Sequence, residues 1–298
     1  MQYFKPYLIL ILGLLFGLGS SLLPAQQDET TTTESKPTSQ GAHEDLDALL
    51  WLQTSAEYEA ITRQSFRLAE MNLGRALVDP TWTASLEQQK MFASNPTDLA
   101  KLSPAVILDV DETVLDNSKY QSRLIEADEE FSPDSWNSFC REEASEAIPG
   151  SVEFIRACRD ARITVLYVTN RSVEIEYATR RNLVSVGLLD IDAPDYLFTK
   201  YERKNWGSNK ETRRKYLASR YRILMLLGDD LNDFVTVGKS PTSKKRKDIA
   251  SKQSDWWGKR WIALPNPNYG GWERSLYDWK DRAPRSEKLE NKRSQMKK

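Results

Sequence analysis

The sequence predicts an α/β fold with a largely parallel central sheet. Three apolar runs, at 106–110, 163–168 and 223–227, have the length and composition of buried strands. Amphipathic helical patterns separate them, and this alternation is typical of parallel sheets. Each run ends in polar residues, and ligands bind at the carboxyl ends of the strands in such sheets. Two shorter strands are predicted at 196–199 and 261–264.

The first of these strands ends in a pair of aspartates, Asp109 and Asp111. On extended backbone this spacing puts both carboxylates on one side. Two carboxylates at the end of a buried strand are unfavourable unless a cation binds there, and Mg²⁺ prefers such hard oxygen ligands. One aspartate can then attack phosphorus while the other transfers a proton. A strand that runs into an acidic turn is the alternative.

The longer string from Asp109 to Thr113, extended by Leu115-Asp-Asn-Ser118, resembles motif I of the haloacid dehalogenase (HAD) superfamily of phosphatases. Within that superfamily it is similar to the class C acid phosphatases, the lipoprotein e-type 5′-nucleotidases. The resemblance implies that Asp109 is the nucleophile and Asp111 the general acid and base. It also implies a HAD-like Rossmannoid three-layer fold with a parallel central sheet and a small, mainly helical cap domain.

The second and third motifs of the family have counterparts further along the chain. The string Tyr167-Val-Thr-Asn-Arg171 resembles motif II, which implies that Thr169 and Asn170 bind phosphate oxygens. A threonine at a strand end is otherwise ordinary turn chemistry. The resemblance makes Lys210 the motif III lysine, which neutralises the nucleophile and the phosphate. Lys200 and Lys204 are the alternatives, as is a solvated helix start.

The string Gly228-Asp-Asp-Leu-Asn-Asp-Phe234 resembles the acidic motif IV. By position Asp229 is the metal ligand, and Asp233 supports the metal or holds the motif III lysine. Many family members have Asn in place of Asp230, so the choice between Asp229 and Asp230 stays open, with Asp229 favoured. The expected cofactor is Mg²⁺. Its expected ligands are the following: Asp109, the Asp111 backbone carbonyl, Asp229 and Asp233.

Two aromatic residues occupy positions that the resemblance associates with nucleoside monophosphate substrates. Trp136 lies in the expected cap insertion, 117–148, and Tyr269 lies in a segment that resembles the family's C-terminal signature. The family holds the base between aromatic rings, so both are candidate base-binding residues. Ordinary packing is the alternative for each.

The N-terminus predicts an export signal. Lys5 precedes an apolar run too short to span a membrane, and small residues follow up to Ala25. We expect a signal peptide at 1–25, with an uncleaved anchor as the alternative. The chain has no cysteine there for lipid attachment, so no stable membrane anchor is expected after cleavage. A flexible linker is predicted at 26–43.

The catalytic domain is expected at 44–280, and its first part, from Leu46 to Leu73, has helical periodicity that predicts a helix packed with the cap. The last segment, 281–298, is charged and predicted to be a disordered tail. Residues 240–259 form a basic segment for which a solvated surface loop is favoured over a nucleic-acid patch.

The composition limits the partners and the kinds of catalysis available to the chain. The net charge of −1 gives no bulk attraction to nucleic acid or membranes. His43 is the only histidine and lies in a polar segment, so histidine-based catalysis is excluded. Cys140 and Cys158 are expected to be buried thiols, although an exported chain allows them to pair.

Together with the family resemblance, these observations predict an exported phosphomonoesterase, periplasmic or extracellular, that acts on small phosphomonoesters through an aspartyl-phosphate. The resemblance implies nucleoside 5′-monophosphates as its substrates. One alternative is a non-catalytic surface or periplasmic binding protein that reuses the fold. The other is a phosphotransferase with an alcohol acceptor.

Overall fold

A computed structural model describes residues 44–297. The predicted signal peptide, the linker and His43 lie outside the described residues. None of the helices in the described part is long and apolar enough to cross a membrane.

The central sheet has five parallel strands, as predicted. In chain order they are β1 (Ser103–Leu108), β4 (Thr164–Ser172), β5 (Leu197–Lys200), β6 (Tyr221–Gly228) and β7 (Trp261–Ala263). Their spatial order is β5-β4-β1-β6-β7. The three strands that carry the polar motifs are therefore direct neighbours. A separate antiparallel pair consists of β2 (Leu115–Asp116) and β3 (Glu146–Ala147).

Helices cover both faces of the sheet, which gives the expected three layers. Because side chains alternate along a strand, Val106 and Leu108 of β1 face one apolar core, while Ala105 and Ile107 face the other. The α-helices in chain order are α1 (Leu46–Thr54), α2 (Ala56–Val78), α3 (Leu86–Met91), α4 (Ser118–Ala127), α5 (Pro133–Arg141), α6 (Ser151–Asp160), α7 (Glu176–Ser185), α8 (Glu211–Ala218), α9 (Leu231–Phe234), α10 (Ser243–Lys252), α11 (Gly271–Arg274) and α12 (Arg285–Ser294).

The insertion after the first motif forms a small helical cap. Its helices α4 and α5 enclose an apolar cluster of their own, which includes Tyr120, Phe139 and Cys140. Cys140 and Cys158 are both buried and unpaired. Burial raises the pKa of the Cys140 thiol to about 12, so this thiol stays protonated and unreactive at neutral pH.

The N-terminal helical pattern divides at Ser55, whose backbone is extended and whose hydroxyl accepts a hydrogen bond from Tyr58 N at 3.0 Å. This cap begins α2 immediately after α1 ends. The predicted periodicity is therefore carried by two helices.

Two charged segments differ from the expectation. The basic segment contains the helix α10 in place of a loop, and the predicted disordered tail contains the helix α12. No side chain of α12 is buried, but ion pairs link it to the rest of the chain. Arg285 pairs with Glu44 at 2.9 Å and Lys292 with Glu273 at 2.7 Å. The helix at 285–294 therefore corrects the expectation of a disordered tail. Composition showed that the tail is charged, but it could not identify the distant partners of those charges.

Candidate active site

The site lies where β1, β4 and β6 end side by side. Asp109 follows β1 directly, Thr169 lies on β4, and Asp229 follows β6. The Asp109 backbone N donates to the Leu227 carbonyl at 3.0 Å, which ties the first motif to the fourth. The parallel sheet thus brings together side chains that are up to 120 positions apart in the chain, as the sequence predicted.

Lys210 is the central cation of the site. Its Nζ lies 2.6 Å from Asp109 Oδ1 and 2.5 Å from Asp233 Oδ1, and the side chain is almost fully buried. Burial lowers the pKa of Lys210, but the two carboxylates outweigh it and the net shift is upward. The two alternative candidates for the motif III lysine lie elsewhere. Lys200 lies over the Tyr201 ring, and Lys204 is exposed.

Three carboxylates form a candidate metal centre. Oxygen atoms of Asp109, Asp229 and Asp233 all lie within 4.8 Å of one another. Burial, with a further contribution from neighbouring carboxylates, raises the pKa of Asp109 to about 7 and that of Asp229 well above its usual value. Such a group is unfavourable without a second cation beside Lys210. Its all-oxygen donors fit a hard divalent ion.

Asp230 is turned away from this group. Its Oδ2 accepts hydrogen bonds from Arg246 Nη2 at 3.0 Å and from Gly271 N at 2.7 Å. Its Oδ1 accepts from Asn232 N at 2.9 Å, which caps α9. With its acceptors used in this way, Asp230 is a structural group, and the geometry favours Asp229 as the ligand of the two.

Gly228 lets the chain leave β6 closely enough for Asp233 to reach the site. A side chain at this position would overlap the Asp233 carboxylate. Asp233 Oδ2 also accepts from Asp230 N at 2.9 Å, so the short helix α9 presents its carboxylate in one orientation.

Asp111 lies apart from the carboxylate group and has its own partners. Its Oδ1 accepts from Arg171 Nε at 2.8 Å and from Asn117 Nδ2 at 3.0 Å. Its Oδ2 accepts from Thr169 Oγ1 at 3.4 Å. Arg171 is buried, and it was not predicted as a site residue, although it ends the second motif. These contacts fix the orientation of the Asp111 carboxyl relative to Asp109.

The turn after Asp111 depends on Glu112, which has a left-handed backbone with φ of 54°. Its buried carboxylate accepts from Asn117 N at 3.0 Å and helps to place the Asn117 side chain under Asp111. Burial raises the pKa of Glu112 well above its usual value. The sequence identified this residue as part of the motif but not its function in the turn.

A second buried arginine shapes the phosphate-binding segment. Arg213 donates to the Thr169 carbonyl, and its Nη2 donates to Asn170 Oδ1 at 2.7 Å and to Gly207 O at 2.9 Å. Burial lowers its pKa to about 10, so it remains charged at neutral pH. Thr169 and Asn170 are therefore held by an arginine that the sequence analysis did not identify.

The two candidate aromatic residues lie on different sides of the site. Trp136 packs against Tyr120, with ring centres 5.0 Å apart, and the Arg171 guanidinium lies 5.4 Å from its ring centre. It is half-buried, and Phe131 beside it is 61% exposed. Packing thus uses part of the Trp136 ring, and the arginine connects the cap to the carboxylate of Asp111.

Tyr269 is half-buried in the loop that follows β7. Asn266 organises this loop, because its Oδ1 accepts from Tyr269 N at 3.3 Å while its Nδ2 donates to Asp229 Oδ2 at 2.8 Å. The aromatic residue is therefore linked to the candidate metal centre through one side chain. Asn266 belongs to the segment 265–273 that resembles the family's C-terminal signature, but nothing in the sequence indicated that it contacts Asp229.

A parallel α/β sheet with an aspartate group and a buried lysine at its carboxyl edge defines the class of HAD phosphatases. Residues 47–272 match the family model of the HAD superfamily, subfamily IIIB (acid phosphatase), and the chain belongs to this family.

Solved structures agree with this assignment. The structure is similar to that of the class C acid phosphatase from Bacillus anthracis, with 28% sequence identity, a TM-score of 0.72, and coverage of 85% of this chain and 97% of that one. A second structure of that enzyme, with tungstate bound, matches over the same shares at 26% identity and a TM-score of 0.70. The protein is therefore a phosphomonoesterase, which excludes the non-catalytic alternative.

Proposed function

We propose that the protein is an exported, Mg²⁺-dependent acid phosphatase that hydrolyses nucleoside 5′-monophosphates through a phosphoryl intermediate on Asp109. The observation that carries the proposal is the placement of Lys210 between Asp109 and Asp233, with Asp229 alongside. The carboxyl edge of the sheet then offers a nucleophile, a counter-charge for phosphate and a cation site.

The cation would be held by the carboxylates of Asp109, Asp229 and Asp233 and by the Asp111 backbone carbonyl. HAD phosphatases use a divalent metal, and Mg²⁺ suits a site of oxygen donors. When bound, it supplies electrostatic stabilisation to the transferring phosphoryl group. Because Asp233 also binds Lys210, we favour Asp229 over Asp233 as a direct ligand of the cation.

The reaction needs two roles from two aspartates. Asp109 attacks phosphorus, the ester P–O bond breaks, and Asp111 gives its proton to the departing alkoxide. Asp111 then takes a proton from water, which attacks the aspartyl-phosphate, releases phosphate and restores the Asp109 carboxylate. The separation of Asp111 from the carboxylate group, by its contacts with Arg171 and Asn117, supports this division of roles.

Phosphate oxygens are proposed to bind Thr169, the Asn170 backbone N–H and Lys210. Beyond the phosphate, Trp136 and Tyr269 are proposed to bind the base. Both rings are half-buried, so part of each ring is accessible to a ligand. Aromatic faces stack on any base, which predicts activity toward several nucleotides.

Phosphate release from a panel of phosphomonoesters, with and without a chelator, tests the proposal. We expect turnover of AMP, complete loss after chelation, and recovery with Mg²⁺, because one lysine cannot balance the charges of three carboxylates and a phosphate dianion. Ca²⁺ serves as the matched control, since it prefers longer bonds and more ligands. Full activity after exhaustive chelation contradicts the metal site. Product analysis with added glycerol detects phosphotransfer.

A further inference from the structure

Arg246 differs from the other basic residues of α10. Lys244, Lys245 and Lys247 are exposed, as expected for a solvated segment, whereas Arg246 is 8% exposed. Its Nη2 donates to Asp230 Oδ2 at 3.0 Å. Its Nη1 is buried and has no hydrogen-bond partner in the described part of the chain. A buried cation of this kind must be held by its one carboxylate partner.

Gly271 provides the space for the guanidinium. A Cβ atom at this position would lie 2.9 Å from Arg246 Cζ and 2.9 Å from Asp230 Oδ2. The Gly271 N–H donates to the same Oδ2 that accepts from Arg246, at 2.7 Å. The arginine is thus packed on the loop backbone, and both bind one carboxylate oxygen.

This contact joins two parts of the site. On one side the Asp230 backbone N donates a hydrogen bond to the Asp233 carboxylate, which in turn accepts one from Lys210 Nζ. On the other side Gly271 lies two residues after Tyr269, at the start of α11. The chain between β7 and α11 has no regular secondary structure of its own, so its position relative to the carboxylates depends on such side-chain contacts.

We infer that Arg246 and Asp230 are a positioning pair that sets the distance between the phosphate end of the site and the Tyr269 loop. The inference rests on the proposed function, since it concerns how the base is placed relative to the reacting phosphate. Neither residue contacts the reacting atoms in this scheme.

Removal of one partner leaves the other buried without its counter-charge, which is costly even when removal of both is tolerated. Arg246→Gln should therefore release the loop and raise the KM for AMP by about tenfold, the equivalent of ~1.4 kcal/mol. The kcat with p-nitrophenyl phosphate should change by less than about threefold, because that ester needs no base contact. A variant that is merely less folded would lose kcat on both esters and keep its KM.

The test compares R246Q, R246K, D230N/R246Q, Y269A and the wild type by steady-state kinetics on both esters. K247Q is the matched control, because it removes a neighbouring positive charge of α10 that has no contact with the site. R246K keeps the charge without the planar fork and should give an intermediate KM. It also keeps the test valid where R246Q is insoluble. D230N/R246Q should be no worse than R246Q, since the pair is already broken.

The outcomes distinguish failure of the Arg246–Asp230 pair from failure of the proposed base site. A selective rise in KM in R246Q, with K247Q unchanged, supports the pair. An unchanged KM in both Arg246 variants, while Y269A loses activity selectively on AMP, overturns the pair and leaves the proposed function intact. Equal losses of Y269A on both esters overturn the base site, and with it the inference.

Discussion

The carboxyl edge of the sheet and the rim around it are built differently. At the edge, Asp109 and Thr169 are fixed by buried strands, and Lys210 is held by ion pairs of 2.5 and 2.6 Å. At the rim, Trp136 lies on a cap helix and Tyr269 on a loop, and both are half-buried. In the proposed function, the reaction itself depends on the edge, and the choice of substrate depends on the rim.

The largest expected effect comes from the nucleophile. Asp109→Asn should abolish turnover of every phosphomonoester, because an amide neither attacks phosphorus nor binds a metal well. Phosphate release from AMP and from p-nitrophenyl phosphate measures it, and circular dichroism establishes that the variant is folded. Wild-type-like phosphate release from either ester would contradict the assignment of Asp109 as the nucleophile.

A smaller and selective effect is expected from the proton donor. Asp111→Asn should lower kcat on alkyl esters by about 10²–10⁴-fold, the usual contribution of general acid–base catalysis. The loss should shrink with p-nitrophenyl phosphate, whose leaving group needs little protonation. Comparison of kcat on the two kinds of ester measures this difference. An equal loss on both would contradict proton transfer by the Asp111 side chain and would indicate that its contacts with Arg171 and Asn117 maintain the geometry of the site.

The features that could be predicted from the sequence also differ between the edge and the residues around it. The placement of Asp109, Thr169 and Asp229 was predictable, because they lie at the ends of apolar runs whose parallel pairing brings those ends together. Lys210 follows no such run, and only the family resemblance identified it.

Arg171 and Arg246 were not predictable, since a buried ion pair depends on a partner 60 or 16 positions away and the arginine has no distinguishing neighbours. Arg246 in particular occurs within Lys244-Lys-Arg-Lys247, a string typical of a solvated surface.

For a related reason, the sequence analysis predicted a disordered tail where the structure has the helix α12. All of its residues except Leu289 are polar, so no apolar periodicity predicts that it packs. Its ion pairs reach Glu44, which lies just before α1, and Asp128 and Glu130, which follow the end of α4. Exposed pairs of this type contribute about 0–1 kcal/mol each, so several together are needed to hold the helix.

The smallest expected effect concerns Tyr269, which tests the rim directly. If its ring stacks on the base, the contact should contribute about 1–3 kcal/mol. Because this contact is remote from phosphorus, its loss should appear in kcat/KM for AMP and be absent for a small ester. Tyr269→Ala should therefore lose about tenfold or more on AMP, the equivalent of ~1.4 kcal/mol, with little change on p-nitrophenyl phosphate. Tyr269→Phe is the matched control, because it keeps the ring and removes only the hydroxyl. A loss shared by both esters would instead show that the loop supports the edge through Asn266 and Asp229, and the two regions would then not be separable.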